Sequence, residues 1–302
     1  MNANFLDVDD FTPEQLARTI RRAALWKRGE EPIPHSLNGK GVALLFEKPS
    51  ARTRTSTEMA VVTLSGHPIY IRPEEVGLDT RETTEDVART LAGYCEVIAA
   101  RTFSHATLER MAAVVSVPVI NLLSDTSHPC QAVADVLTLQ EHWGVTAGRR
   151  IAYVGDGNNV AASLALAAAM SGMTFAIATP LGYELPSSVV DRVNTLGGRV
   201  EATHDPREAV AGADALYADV WTSMGQEAER AQRLHDFEGF QIDAALMHHA
   251  QSNAVLLHCL PAHRGEEVTA EVLDGPQSLI WKQAANRMDA VRSVIVELLE
   301  RN

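Results

Sequence analysis

The sequence predicts an α/β fold of two domains, each a parallel sheet flanked by helices, joined by a bridging helix and a returning C-terminal helix. Short β-branched apolar runs alternate with amphipathic helical patterns along the chain, which is typical of parallel α/β sheets. The chain has 302 residues and 46% apolar content, enough for two domains of ordinary size. One long helical pattern separates the apolar runs into two groups.

The apolar runs predict the strands of both sheets. In the first half, the predicted strands are residues 41–47, 67–71, 95–101 and 117–121. In the second half, they are residues 150–154, 173–178, 199–202, 213–219 and 254–260, with residues 278–281 as a further candidate. Helices are expected to cover both faces of each sheet.

Helical patterns predict how the domains are connected. Residues 129–143 form one such pattern, in which Pro129 suits the first turn and Gly144 suits a stop. We expect this helix to bridge a first domain, residues 1–130, and a second domain, residues 145–284.

The last segment, residues 285–302, is expected to pack back on the first domain. A helical pattern over residues 283–299 overlaps this segment and puts one apolar stripe along the helix. The stripe consists of Ala284, Met288, Val291, Ile295 and Leu299.

Composition excludes several classes of partner. The formal net charge of -13 repels phosphate-rich surfaces, so neither nucleic acid nor a membrane is an expected partner. The N-terminus lacks the basic start and apolar core of a signal peptide. Residues 157–183 carry no charge, but the break at Ser171-Gly172 favours a buried helix and a buried strand over a membrane span.

Cysteine and histidine usage bears on the compartment and on metals. The three cysteines, Cys95, Cys130 and Cys259, have wide and irregular spacing, which favours a reducing, cytoplasmic location without disulfides. No CxxC pair occurs and the eleven histidines are scattered, so we expect no metal site and no cofactor.

Residues 46–55 carry hydroxyl and basic side chains where a predicted strand ends and a helix begins. A helix N-terminus presents unpaired N–H groups and partial positive charge, so Ser50, Arg52 and Thr53 form a candidate oxyanion receptor. The Walker pattern is absent. A capped, solvated first turn is the alternative interpretation.

A second candidate cluster begins the bridging helix. His128 and Gln131 are three residues apart and therefore share one helix face, although a histidine at a helix start often only caps or packs. Arg101 ends an apolar strand, where an arginine is costly unless it meets an anion.

Gly155-Asp156-Gly157 follows a strand and opens a helix, which is the setting of the glycine-rich loop of dinucleotide-binding sites. Val160 replaces the third glycine of that pattern, and Thr179-Pro180 stands where an acidic residue would bind the ribose. Both departures argue against nucleotide binding.

Asp219 and Cys259 each lie at the end of a predicted strand. A carboxylate and a thiol at neighbouring strand ends can orient a cationic amine, whereas a dicarboxylic substrate would need a further arginine. For Cys259 and Met224, ordinary core packing is the alternative.

These motifs together resemble the aspartate and ornithine carbamoyltransferase family. Ser50-Ala51-Arg52-Thr53 matches its SxRT pattern, and His128-Pro129-Cys130-Gln131 matches HPxQ. The DxxxSMG pattern from Asp219 and the HCLP pattern from His258 resemble the ornithine enzymes of the family. The resemblance extends over nearly the whole chain.

The resemblance implies transfer of the carbamoyl group of carbamoyl phosphate to the side-chain amine of L-ornithine, giving L-citrulline and phosphate. It also implies a homotrimer or a higher assembly of trimers. The implied carbamoyl phosphate ligands are Ser50, Ala51, Arg52, Thr53, Arg101, His128, Gln131, Cys259, Leu260 and Arg287. The implied ornithine ligands are Asn159, Asp219, Ser223 and Met224. The implied catalytic residues are Arg101, His128, Cys259 and Asp219.

Within this set, Thr53, Arg101 and a protonatable His128 are expected to face the carbamoyl oxygen. Gln131 is expected to accept a hydrogen bond from the carbamoyl amide. We expect the anion pocket of the first half to face the acid and thiol of the second half across one cleft.

Two positions depart from the family pattern. Ala285 stands where the family commonly has an acidic residue, which predicts one orienting partner fewer for Arg287. Residues 74–82, which in the family reach a neighbouring subunit's site, align poorly, so no phosphate contact is assigned to them.

Three rival functions remain from the sequence. They are a carbamoyltransferase for another amine such as putrescine, a nucleotide-binding protein built on the Gly155 loop, and a catalytically silent assembly subunit.

Overall fold

The computed structural model describes residues 4–223 and 225–301, except for the side chain of Pro73. The chain forms two compact units. Unit 1 comprises Met1–Leu137 and Ala285–Asn302, and unit 2 comprises Thr138–Ala284. The predicted α/β class with two parallel sheets is confirmed.

Unit 1 contains a parallel sheet with the strand order β2-β1-β3-β4. Its strands are β1 (Gly41–Phe46), β2 (His67–Ile71), β3 (Cys95–Arg101) and β4 (Val119–Leu123). The helices that begin in it are α1 (Pro13–Lys27), α2 (Ala51–Thr63), α3 (Pro73–Val76), α4 (Thr84–Ala92), α5 (His105–Val114) and α6 (Pro129–Trp143).

Strand β4 begins two residues later than the sequence predicted. Pro118 has no N–H to donate to a strand ladder, and it contributes only its carbonyl, which accepts from the N–H of Ile98 at 3.0 Å. Regular pairing therefore starts at Val119, opposite Ile98.

Unit 2 contains a second parallel sheet, with the strand order β7-β6-β5-β8-β9. Its strands are β5 (Arg150–Val154), β6 (Thr174–Ala178), β7 (Val200–Thr203), β8 (Ala215–Ala218) and β9 (Val255–His258). The remaining helices are α7 (Asn159–Met170), α8 (Ser187–Thr195), α9 (Pro206–Val210), α10 (Arg230–Asp236), α11 (Ala244–Met247), α12 (Ala270–Leu273) and α13 (Ile280–Leu299).

The further candidate strand at residues 278–281 was wrong. Ser278 makes one isolated bridge to Leu256, and α13 begins two residues later at Ile280. The polypeptide turns directly from that bridge into the helix, so no room remains for a strand.

The uncharged stretch of residues 157–183 forms α7 and then β6, as predicted. Ten residues of α7 are buried, so its apolar composition reflects coverage of the unit 2 sheet. Over the described part of the chain, no helix is both long enough and apolar enough to cross a membrane.

Helix α13 is buried more completely than one apolar stripe would require. Glu297 is fully buried beside Val294 and Ile295, and its carboxylate pairs with the guanidinium groups of Arg18 and Arg22 on α1. A paired carboxylate tolerates burial, so a face that the sequence marked as polar lies inside unit 1.

Strand order identifies where each unit can bind a ligand. In each sheet the chain reverses its direction of winding between two adjacent central strands, β1 and β3 in unit 1 and β5 and β8 in unit 2. Ligands of open α/β sheets bind beyond the carboxyl ends of such strand pairs. The loops after these four strands carry most of the candidate residues.

Candidate active site

In unit 1, the loop after β1 leads into the N-terminus of α2, which Ser50 caps. The Ser50 hydroxyl accepts from the backbone N–H of Thr53 at 3.3 Å and donates to the Thr53 hydroxyl at 3.0 Å. Ala51 and Arg52 occupy the exposed first turn, where helical N–H groups lack helical partners and carry partial positive charge. This turn can receive an oxyanion.

Arg287 of α13 is held at the same place by two neutral acceptors. Its Nη2 donates to the hydroxyl of Thr53 at 2.7 Å, and its Nη1 donates to Oε1 of Gln131. Thr53, Gln131 and Arg287 are all buried. Although Ala285 supplies no acid, the guanidinium of Arg287 is therefore oriented from two sides.

Arg101 and His128 add a buried cation and an imidazole. They are 8% and 4% exposed. Burial, followed by the charges of Arg287 and Arg101, holds the pKa of His128 well below its ordinary value. His128 is therefore neutral near pH 7, and the expectation that it adds positive charge was wrong. It can still donate one hydrogen bond as a neutral imidazole.

Lys48 was not singled out from the sequence, although it lies within the motif at residues 46–55. Its ammonium lies 4.5 Å from the ring centroid of Phe103. Burial first, and the charge of Arg101 second, lower the pKa of Lys48. The loops after β1 and β3 thus bring a lysine and an arginine together, which favours an anion between them.

In unit 2, Asp219 and Cys259 lie side by side because β8 and β9 are parallel neighbours, with Ala218 opposite His258. The Cys259 thiol donates to Oδ1 of Asp219 at 3.0 Å. Both residues are buried. A carboxylate and a thiol therefore stand at one point of the sheet edge, where they can orient an amine.

Asn158 holds the other oxygen of Asp219. Its Nδ2 donates to Oδ2 of Asp219 at 2.9 Å, while its Oδ1 accepts from the N–H groups of Val160 and Ala161 at 2.9 and 3.1 Å. Asn158 is therefore the N-cap of α7. The sequence interpretation named the adjacent Asn159 as an ornithine ligand. Asn159 is the first residue of α7.

The loop after β8 is anchored by Arg233. Its Nη1 donates to the carbonyl of Trp221 at 2.9 Å and to the carboxylate of Asp156 at 2.7 Å. The N–H of Ser223 donates to the side-chain oxygen of Gln226 at 3.0 Å. Met224, the remaining predicted ornithine ligand, lies outside the described residues.

Gly157 explains part of the dinucleotide-like pattern. A Cβ at this position would lie 2.5 Å from the backbone nitrogen of Leu185 and 2.7 Å from the carbonyl of Tyr183. Such contacts exclude any side chain. Close packing of two loops therefore accounts for this glycine without a nucleotide.

Leu260 follows Cys259 in a left-handed conformation, with φ of 60°. Its N–H donates to Nδ1 of His258 at 2.9 Å, while Nε2 of His258 lies 3.1 Å from the carboxylate of Glu267. Because Nδ1 accepts, the ring carries its proton on Nε2. The buried imidazole thus stabilises a backbone shape that leucine adopts rarely.

One of two clusters of metal-ligand residue types among the described residues lies at the candidate site. Ligand atoms of Asp219, His258 and Cys259 lie within 4.8 Å of one another. Both ring nitrogens of His258 are already engaged by the N–H of Leu260 and by Glu267. The geometry fits a hydrogen-bonded substrate site better than a metal centre.

Two family models match the chain. Residues 3–141 match the carbamoyl-P binding domain of aspartate/ornithine carbamoyltransferase, and residues 147–298 match its Asp/Orn binding domain. The chain belongs to the aspartate/ornithine carbamoyltransferase family. The loops described above thus lie in the two domains that define aspartate/ornithine carbamoyltransferases.

Several members of the aspartate/ornithine carbamoyltransferase family are similar to this chain over nearly their full length. An ornithine carbamoyltransferase of Thermus thermophilus is 48% identical over 98% of this chain and 97% of its own. One of Acidothermus cellulolyticus is 47% identical over 99% and 97%. The solved ornithine carbamoyltransferase of Pyrococcus furiosus is 43% identical, with a TM-score of 0.93 over 98% and 96% of the two chains.

Proposed function

We propose that the protein is an ornithine carbamoyltransferase, which transfers the carbamoyl group of carbamoyl phosphate to the side-chain amine of L-ornithine. The observation that carries the proposal is the 3.0 Å contact between the Cys259 thiol and Asp219. This pair suits a substrate that presents an amine. The full-length similarity to proteins named ornithine carbamoyltransferase gives independent support.

Carbamoyl phosphate binds in unit 1 in this proposal. Its phosphate occupies the first turn of α2 and is neutralised by Arg52, Arg101 and Lys48. Its carbonyl oxygen accepts from Thr53, His128 and Arg101. Support comes from the Thr53 hydroxyl, whose oxygen already accepts from Arg287 and Ser50, so that its own proton remains to be donated.

L-Ornithine binds in unit 2 through Asn159, Asp219, Ser223 and Met224, with Cys259 beside the reacting nitrogen. Both oxygens of Asp219 are engaged by uncharged donors, Asn158 and Cys259. They fix the plane of the carboxylate, so it can orient an amine that approaches the remaining lone pairs.

The reaction needs a neutral amine, since an alkylammonium group has no lone pair. A lysine-like amine in water has a pKa of about 10.4. The cations that hold the phosphate disfavour the ammonium form at the carbamoyl carbon, because like charges repel. The ammonium loses one proton to solvent water before attack.

Attack forms a C–N bond and places negative charge on the carbonyl oxygen. Thr53, Arg101 and neutral His128 stabilise that charge, and removal of one such donor typically costs about 3 to 4 kcal/mol of barrier. The bond from the carbamoyl carbon to the phosphate oxygen then breaks. The attacking nitrogen gives up a second proton to the departing phosphate. The phosphate therefore leaves as the hydrogenphosphate dianion, and L-citrulline remains.

Ureido product formation tests the proposal. The purified protein is incubated with carbamoyl phosphate and one of four amines: ornithine, putrescine, N-acetylornithine or aspartate. We expect colour development with ornithine far above the other three. Preference for putrescine or N-acetylornithine would assign a different amine, and no product with any of them would leave the proposal without support.

We also propose that the protein assembles as a homotrimer. Support comes from apolar side chains exposed on α2 and on the edge strand β2, namely Met59, Val62 and Ile69. Helix α2 packs against β2, and an exposed apolar patch over two adjacent elements is typical of a protein interface. Sedimentation of the wild type and of Val62→Glu tests it: the wild type should sediment as a trimer and the variant as a smaller species.

We place the protein in the cytoplasm as part of the same proposal. Cys95, Cys130 and Cys259 are buried thiols, and the contact of Cys259 with Asp219 requires reduced sulfur. A reducing compartment preserves that contact. Cell fractionation tests the location, and recovery from an oxidising compartment would contradict it.

A further inference from the structure

Asp135 is a buried carboxylate to which the reaction described above gives no role. It lies on α6, one turn after Gln131, and is 0% exposed. Its Oδ1 accepts from Nε2 of Gln131 at 2.8 Å. Burial of a carboxylate is costly, so its presence at the edge of the candidate site indicates a use.

We propose that Asp135 is a positioning residue, which fixes the orientation of the Gln131 amide and thereby sets the affinity for the carbamoyl group. The inference rests on the proposed function. It concerns residues of unit 1 alone.

The orientation of the Gln131 amide follows from its two neighbours. Rotation of the amide by half a turn exchanges its oxygen and its NH2 group. Oδ1 of Asp135 accepts from Nε2 of Gln131, so Asp135 selects the NH2 group. A guanidinium only donates, so Arg287 selects the oxygen. Both neighbours select the same orientation.

This orientation matters for one part of the proposed substrate. Oε1 of Gln131 has two lone pairs, and Arg287 uses one of them. The second can accept from the N–H of a carbamoyl amide. Inorganic phosphate has no such N–H group, so its binding does not depend on which way Gln131 points.

A purely electrostatic role of Asp135 would change the affinity for carbamoyl phosphate in the opposite direction. In such a role a charged Asp135 would repel anions, and its replacement by asparagine would strengthen the binding of every anion. A positioning role predicts weaker binding of carbamoyl phosphate and unchanged binding of phosphate. The two roles therefore differ in direction.

The first test is Asp135→Asn, which keeps the shape of the side chain but can donate as well as accept. We expect the KM for carbamoyl phosphate to rise about tenfold, the value of one hydrogen bond. Inhibition by inorganic phosphate and the KM for ornithine at saturating carbamoyl phosphate should stay unchanged. Equal changes for carbamoyl phosphate and phosphate, or no change for either, would overturn the proposal.

Glu297→Gln is the matched control. Glu297 is likewise a fully buried carboxylate of unit 1, but it pairs with Arg18 and Arg22. Its loss should lower the thermal midpoint without a selective effect on carbamoyl phosphate. A selective effect in this control as well would assign the Asp135 result to general loss of packing, against positioning.

A second test needs no turnover, so it separates failure of this inference from failure of the proposed function. Gln131→Glu brings two carboxylates together, whereas Gln131→Glu with Asp135→Asn restores a donor facing an acceptor. Denaturant unfolding of both single variants and the double variant gives the coupling free energy. The double variant should lose less unfolding free energy than the two single variants lose together. Losses that simply add would overturn the proposal.

Discussion

Asn158 joins two tasks in one side chain: its oxygen caps α7 while its nitrogen donates to Oδ2 of Asp219 at 2.9 Å. The cap of α7 and the carboxylate that we propose for ornithine binding are thereby joined at the carboxyl edge of the unit 2 sheet. The two tasks can be separated by substitution, because a serine can cap a helix but cannot reach as far as an asparagine.

Replacing Asn158 by serine and by alanine separates them. Asn158→Ser should keep most of the stability but raise the KM for ornithine, since Oδ2 of Asp219 loses its donor. Asn158→Ala should show the same KM effect and lose about 1 kcal/mol of unfolding free energy. Denaturant unfolding and steady-state kinetics measure both. An unchanged KM for ornithine in both variants would leave Asn158 with the capping task only.

Asp219→Asn removes the charge but keeps the size of the side chain. We expect the binding of ornithine to be weakened far more than the binding of carbamoyl phosphate, because the amine of ornithine loses its carboxylate partner. KM values for both substrates, each at saturating concentrations of the other, measure the difference. Should both rise equally, Asp219 would have only a structural role.

Arg101→Ala should lower turnover about a hundredfold or more, since one preorganised donor to the developing oxyanion is lost. The fold should remain, because Arg101 ends β3 rather than filling its interior. Circular dichroism checks the fold, and kcat checks the reaction. Near-normal kcat in a folded variant would remove Arg101 from the residues that stabilise the oxyanion.

The lowered pKa of His128 predicts how stability depends on pH. The unfolded chain takes up a proton at this residue near pH 6.5, whereas the folded protein does so only at a much lower pH. The unfolded state therefore binds more protons below pH 6.5. The contribution of His128 to stability is full above that pH and is lost as the pH falls below it.

Thermal midpoints of the wild type and of His128→Asn between pH 5 and pH 8 measure this contribution. We expect the wild type to lose more stability than the variant on acidification. His248→Asn serves as the control, since His248 is exposed. Parallel pH curves for the wild type and His128→Asn would show that His128 does not bear this linkage.

The sequence predicted the strand ends well, and with them the neighbours Asp219 and Cys259. Parallel strands of a sheet end at one edge, so two residues that follow adjacent strands must meet. The period of apolar residues is enough to locate such ends.

Contacts between residues that are distant in the chain could not be predicted in this way. The contact of Arg287 with Gln131 and Thr53 joins segments distant in the chain, and no local pattern encodes it. Likewise, the neutral state of His128 follows from burial and from two arginines distant in sequence. The sequence interpretation named Asn159 as an ornithine ligand and did not single out Asn158, whose contact with Asp219 joins residues that are distant in the chain.

Arg287 stands on the last helix, although the pocket that it completes is otherwise built from residues before 138. During synthesis on the ribosome, all of unit 2 emerges before this arginine does. A nascent chain that ends before α13 lacks the group that bridges Thr53 and Gln131. The candidate oxyanion site is therefore the last part of unit 1 to be completed.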